Sequence, residues 1–181
     1  MHKKPDSRSQ LNPTSVAELL QQHRSRIAAN TSGIFAVLML LQWAGAILTA
    51  VIVSPRTWSG TASSVHAHVW ASIFLGGIIT VVPVVLAVVY PTLALTRHVI
   101  AAGQMLMSAL LIHITGGRIE THFHVFGSLA ILAFYRDWRI LITGAMVVYI
   151  DHVVRGYYWP QSVYGVLNAS LWRSVVHAWW V

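Results

Sequence analysis

The sequence predicts an all-α integral membrane protein, a bundle of about six transmembrane helices of which one is short. Hydrophobic residues make up 56% of the 181 positions and charged residues only 9%, far below the share of roughly 25% in soluble domains. Apolar runs recur along the chain at about the length that a helix needs to cross a bilayer. Short polar segments separate these runs, so the lipid bilayer is the predicted surrounding of the chain.

The first 31 residues are predicted to be a polar cytosolic tail with a short helical patch, and residues 32–181 the membrane domain. The predicted spans cover residues 33–54, 67–90, 97–115, 123–135 and 139–155, and a sixth begins near residue 165. The fourth span is short, so it is expected to recruit the preceding "IETHFH" or to lie sunk inside the bundle. The last helix is a candidate for truncation, because the chain stops soon after Trp179.

Basic residues indicate the orientation of the bundle and exclude one class of partner. The basic tail, Arg97, Arg136 and Arg139 fall on one side if the spans alternate, and the positive-inside rule makes that side cytosolic. The N-terminus is therefore predicted to be cytosolic. Nucleic acid is not an expected partner despite the net charge of +7, because the arginines after the tail lie singly or in pairs between apolar runs.

Histidines and carboxylates collect at the predicted outer ends of the spans. Ionisable groups in membranes are costly and usually face the bundle interior or a partner. Imidazole and carboxylate are ligands of transition metals, and the chain has no cysteine. The sequence therefore predicts a site for copper, zinc or iron at the outer face. The candidate ligands are His66, His68, His113, His122, His124, His152, Asp151 and Glu120.

The spacing of these residues limits how they share an ion. Two residues that are two positions apart point about 200° apart in a helix, so His122 and His124 could not both face one ion from a helix. Either that segment is extended, or one member of the pair ligates and the other supports it or binds a second ion. Asp151 is expected to orient a ligand histidine rather than to bind directly. His98 and His177 are interpreted as ordinary interfacial residues.

Two blocks of the chain carry a resemblance to a known family. "GGRIETHFHVFGSLAILAFYRDWR" and "DHVVRGYYWPQSVYGVL" resemble a histidine-rich multi-pass sensor module found N-terminal to bacterial histidine kinases, diguanylate cyclases and chemoreceptors. The resemblance covers about residues 65–181. It implies a sensory role in the bacterial inner membrane, a homodimer, and a downstream signalling domain or partner protein. The residues that it marks as the site are His68, His113, Glu120, His122, His124, Asp151 and His152.

The chain stops at Val181 without a kinase, cyclase or methyl-accepting region, so the resemblance implies an isolated sensor portion or a different output.

The favoured function is a sensor that binds a metal ion or metal cofactor and signals through its C-terminal helix. A membrane metalloenzyme with a dinuclear histidine site is an alternative, although an enzyme is the less favoured class. Binding of haem b by two histidines, for example His68 and His124, is another. Proton sensing without metal is the third.

Overall fold

The computed structural model describes residues 13–179, and this part of the chain is helical apart from one β-hairpin and the connecting turns. The helices are α1 (Pro13–Val53), α2 (Ala67–Val89), α3 (Ala94–Ile114), α4 (Ile119–Leu132), α5 (Trp138–Tyr158), α6 (Pro160–Tyr164) and α7 (Leu171–Trp179). Antiparallel strands β1 (Arg56–Ser59) and β2 (Ala62–Val65) join α1 to α2. Four helices, α1, α2, α3 and α5, are long and apolar enough to cross a membrane. The all-α class is therefore confirmed, with four candidate membrane spans in the described part of the chain where about six were predicted.

The predicted spans at 67–90, 97–115 and 139–155 correspond to α2, α3 and α5. The short fourth span does recruit "IETHFH", since α4 begins at Ile119. The sixth span was expected from about residue 165, but the five-residue α6 ends just before that position and the nine-residue α7 begins only at Leu171. Two residues explain the interruption. Pro160 starts α6 because its ring suits the first helical turn, and Gly165 ends it in the left-handed conformation.

The boundary predicted at residue 31 is not a break in the backbone. Helix α1 continues through it, because the segment from Ser15 to Ser32 contains neither glycine nor proline and is rich in good helix formers. The first twelve residues of the predicted tail lie outside the described part of the chain. The β-hairpin was not predicted, since its exposed strands are only four residues long and carry no clear alternation.

The helices turn back at two ends of the bundle. The histidine end is defined by His68, His113 and His152, and the arginine end by Arg97 and Asp137. Helix α3 is the most deeply buried of the four long helices and forms the centre of the bundle. Large apolar side chains on α1 and α2 point outward, as expected for a surface that faces lipid.

At the arginine end, the Ser32 hydroxyl links three segments of the chain by hydrogen bonds. Its oxygen lies 3.1 Å from the carbonyl of Pro91, to which it donates, and 3.0 Å from the hydroxyl of Tyr135. These contacts join α1 to the α2–α3 turn and to the turn that follows α4. Ala28 and Thr31 are still buried, so the part of α1 that projects beyond the bundle is residues 13–27, over roughly 22 Å at 1.5 Å per residue.

Candidate metal centre

Three histidines from three helices meet at the histidine end of the bundle. His122 comes from α4, His152 from α5 and His177 from α7. The ring centroids lie 5.6 Å apart for His122 and His152, 5.1 Å for His122 and His177, and 5.5 Å for His152 and His177. One ligand nitrogen from each residue lies within 4.8 Å of the other two. His122 and His152 are buried, and His177 is partly buried.

Two of these rings are oriented by the backbone of their own helix. Nδ1 of His122 lies 2.9 Å from the carbonyl of Arg118, and Nδ1 of His152 lies 3.1 Å from the carbonyl of Val148. A carbonyl oxygen only accepts, so each Nδ1 carries the proton and each Nε2 keeps a free lone pair. Both Nε2 atoms are buried, and neither has a hydrogen-bond partner among residues 13–179. A bound cation would satisfy both lone pairs, whose burial is otherwise costly.

A carboxylate supports one of the rings from behind. The Asp151 carboxylate lies 3.3 Å from Nδ1 of His152, on the side away from the free nitrogen. Arg155 donates to both oxygens of Asp151, at 2.7 Å and 2.6 Å. Asp151 therefore contacts the ring of His152 and leaves the free nitrogen open, and a carboxylate in that position makes an imidazole a better ligand.

His177 is a member of the cluster that sequence reasoning missed. A sixth span beginning near residue 165 would have placed it roughly 18 Å along that helix, away from the histidine end. In the structure α7 begins only at Leu171. The His177 ring packs against the rings of His152 and Tyr164, with centroids 5.5 Å and 5.1 Å away. The only sequence signal for this arrangement is Pro160 with Gly165, which allows the chain to turn back before α7.

Three other predicted ligands form a separate group, the second histidine group, made of His66, His68 and His113. The ring centroids of His66 and His68 lie 4.2 Å apart, and those of His68 and His113 lie 4.9 Å apart. Nδ1 of His113 lies 2.9 Å from the Ser162 hydroxyl, which also accepts a hydrogen bond from Arg155 at 3.0 Å. Ser162 therefore links this group to the residues that support His152.

The remaining predicted ligands do not join either group. His124 faces the bundle core two residues from His122, which agrees with the expected divergence on a helix. Its Nδ1 lies 2.7 Å from the Ser108 hydroxyl, and its Nε2 lies 3.0 Å from the side-chain nitrogen of Gln42. Glu120 is exposed and has no ion pair or hydrogen bond from its side chain within the described residues.

The His124 contacts belong to a polar network inside the bundle. Gln42 and Gln104 bond to each other twice, at 3.0 Å and 2.8 Å, and the Ser128 hydroxyl donates to Gln104 at 3.1 Å. Gln104 is fully buried. The network joins α1, α3 and α4, and water is scarce at this depth of a membrane, so each partner depends on the others.

We expect Gln104→Leu to lower the free energy of unfolding by about 1–2 kcal/mol, because the Gln42 amide and the Ser128 hydroxyl lose a partner. Reversible unfolding in mixed micelles would measure the loss. The matched control is Gln42→Leu with Gln104→Leu, which removes both amides and should restore part of the stability. If Gln104→Leu alone unfolds like the wild type, the hydrogen bonds of Gln104 do not stabilise the bundle.

The chain is thus a helical protein with four candidate membrane spans and a cluster of three histidines at one end of its bundle. No family model matches the chain, and no solved structure matches it significantly. Among curated proteins, it is similar to part of a protein named Transducer protein Htr8 from Halobacterium salinarum, with 36% identity over 84 residues. The similarity covers 44% of this chain and 13% of the transducer, so the chain matches only a small part of that relative.

Proposed function

We propose that the protein is a membrane-embedded sensory module in which His122, His152 and His177 bind a transition metal ion. Four apolar helices and the similarity to part of a transducer fit a membrane signalling module. The observation that supports the metal is a pair of buried Nε2 atoms, which have no hydrogen-bond partner among residues 13–179 and lie within reach of a third imidazole. The resemblance to sensor modules of kinases, cyclases and chemoreceptors supports the same role.

The ligand set restricts the ion by its chemistry. Three neutral imidazoles suit zinc, copper and iron. Nitrogens that bind zinc at about 2.0–2.1 Å in a tetrahedral site lie roughly 3.4 Å apart, so nitrogens within 4.8 Å need only a small closing movement. Three protein ligands leave a fourth position for water or for a small ligand that is sensed.

The metal would transmit a signal because its ligands come from separate helices. His152 lies on α5 and His177 on α7, so an ion bound by both fixes α7 against α5. An ion produces a signal only if it binds one arrangement of the helices more tightly than another. In this proposal the C-terminal segment carries the output to a signalling domain or partner protein, and the protein acts as a homodimer.

The proposal includes the finer topology. The N-terminus is cytosolic, the histidine end faces the outside of the inner membrane, and α4 and α7 complete a bundle of six segments around the four long helices. The arginines at the other end are consistent with the positive-inside rule.

Elemental analysis of the purified protein, with a visible absorption spectrum, tests the metal. We expect about one equivalent of zinc, copper or iron in the wild type and its loss in the variant His122→Ala with His152→Ala. His98→Ala is the matched control, because His98 bonds to Thr143 at the arginine end. A haem absorption band would show that the histidines bind haem and not a free metal ion. A wild type without metal, or a double variant that retains it, would contradict the site.

A distance measurement tests the sensor. Spin labels at Val154 on α5 and Trp172 on α7 occupy exposed positions outside the histidine cluster. Zinc added to the stripped protein should narrow the distribution of distances between them, and His177→Ala should abolish the change. An identical distribution with and without zinc would contradict signalling through α7, whatever the elemental analysis shows.

A further inference from the structure

A second site lies at the arginine end, where the projecting part of α1 meets two turns of the bundle. A cavity of about 670 Å³ lies between residues 20–28 of α1, Thr92 in the α2–α3 turn, and residues 135–139. Four arginines line it, namely Arg24, Arg97, Arg136 and Arg139. Its size falls within the range of small-molecule sites.

The cavity holds more positive than negative charge. Among the described residues of its lining, Asp137 alone carries a carboxylate, and Arg97 donates to it at 3.3 Å. The other Asp137 oxygen accepts the backbone N–H of Arg139 at 3.1 Å and so caps α5. Arg24, Arg136 and Arg139 have no ion pair with a carboxylate among residues 13–179. Three guanidinium groups are therefore left without an acidic partner around one cavity.

Two further observations concern the arginines that line the cavity. The Nε atom of Arg97 is buried and has no hydrogen-bond partner among the described residues, although the same side chain pairs with Asp137. Arg136 has a left-handed backbone, with φ of 53°, where a residue with a Cβ is unfavourable. Tyr135, anchored to Ser32, holds the turn in which this conformation occurs.

We propose that this cavity binds a phosphate group, either of an anionic lipid headgroup or of a soluble phosphate compound. The planar guanidinium matches phosphate oxygens in geometry and charge. The cavity lies where α1 leaves the bundle, the level at which lipid headgroups meet helices. Leu20 and Trp138, two exposed apolar residues of the lining, would contact the adjoining lipid. The site is independent of the metal at the other end.

Native mass spectrometry with defined lipids tests the proposal and separates the two sources. The protein is exchanged into nanodiscs of phosphatidylcholine with or without phosphatidylglycerol, and retained lipid is counted after release. We expect retained phosphatidylglycerol, with affinity about fivefold weaker in Arg24→Gln and in Arg136→Gly. Glycine suits the backbone at residue 136, so a loss in that variant reports the missing charge and not a disturbed turn.

Arg118→Gln, at the histidine end, is the matched control and should retain lipid like the wild type. A different result would assign the site to a soluble phosphate compound. In that case the wild type retains no phosphatidylglycerol, but inorganic phosphate raises its thermal stability and does so less in Arg24→Gln and Arg136→Gly. Equal losses in all three variants would overturn the proposal, since they would indicate general surface charge. Absence of both lipid retention and phosphate stabilisation in the wild type would overturn it as well.

Discussion

Gly117→Ala is expected to lower the free energy of unfolding by about 3 kcal/mol or more. Gly117 has φ of +75°, and a Cβ in the left-handed region costs roughly 1–2 kcal/mol. The new Cβ would also collide with the backbone of Val163, Tyr164 and Gly165. Backbone atoms cannot move aside as a flexible side chain can, so overpacking adds about 1–3 kcal/mol. Unfolding in mixed micelles would measure the sum.

Gly116→Ala separates the two contributions, because Gly116 has φ of +71° but open space where its Cβ would lie. We expect this control to lose only the backbone contribution of about 1–2 kcal/mol. The difference between the variants then measures the packing of the α3–α4 turn against the end of α6. Equal losses would show that the contact with α6 does not contribute to stability.

Asp151→Asn is expected to have two separate effects. It leaves the Arg155 guanidinium without its bidentate partner, and both side chains are mostly buried, at 14% and 21% exposure. We expect a loss of about 2–3 kcal/mol, at the lower edge of the range for a buried pair because some solvent reaches it. The variant also removes the carboxylate behind His152, so metal affinity should fall about 10–100-fold.

Stability comes from unfolding in mixed micelles without metal, and affinity from competition with a zinc indicator. The variant Asp151→Leu with Arg155→Met removes both charges and should recover part of the stability, because no charge is left unpaired. It should not recover the affinity for zinc. A single variant that unfolds like the wild type would show that the ion pair is neutral in stability, and unchanged zinc affinity would show that Asp151 does not support His152.

Sequence patterns were sufficient for the class of fold and for the positions of most helices. The hydropathy of a segment and its length decide whether it can cross a membrane, and both are local properties of the chain. The boundaries of α2, α3 and α5 therefore agree with the apolar runs. The same patterns could not predict the interrupted segment after residue 159, because an apolar run and a short helix packed on α5 have similar compositions.

The site was predictable only as a region. The sequence places most of the histidines at one end of the bundle, since each lies near the end of an apolar run. It could not predict that His122 would meet His152 while His124 bonds to Gln42, because that depends on how α4 is rotated against its neighbours. A helix has no preferred rotation until its faces pack, and side chains two residues apart then separate into different surroundings.

Composition and hydropathy alone were enough to predict a helical protein with membrane spans, the charge at the ends of those spans and the absence of thiolate ligands. Tertiary structure decided which groups meet. His177 reaches the other two histidines of its cluster because the chain turns back after α5, and Arg24 reaches the arginine cavity because α1 continues past Ser32 towards the N-terminus. His177 is 25 positions from His152 and 55 from His122, and Arg24 is 73 positions from Arg97. Such contacts depend on packing between helices, whereas span length and charge are properties of each segment alone.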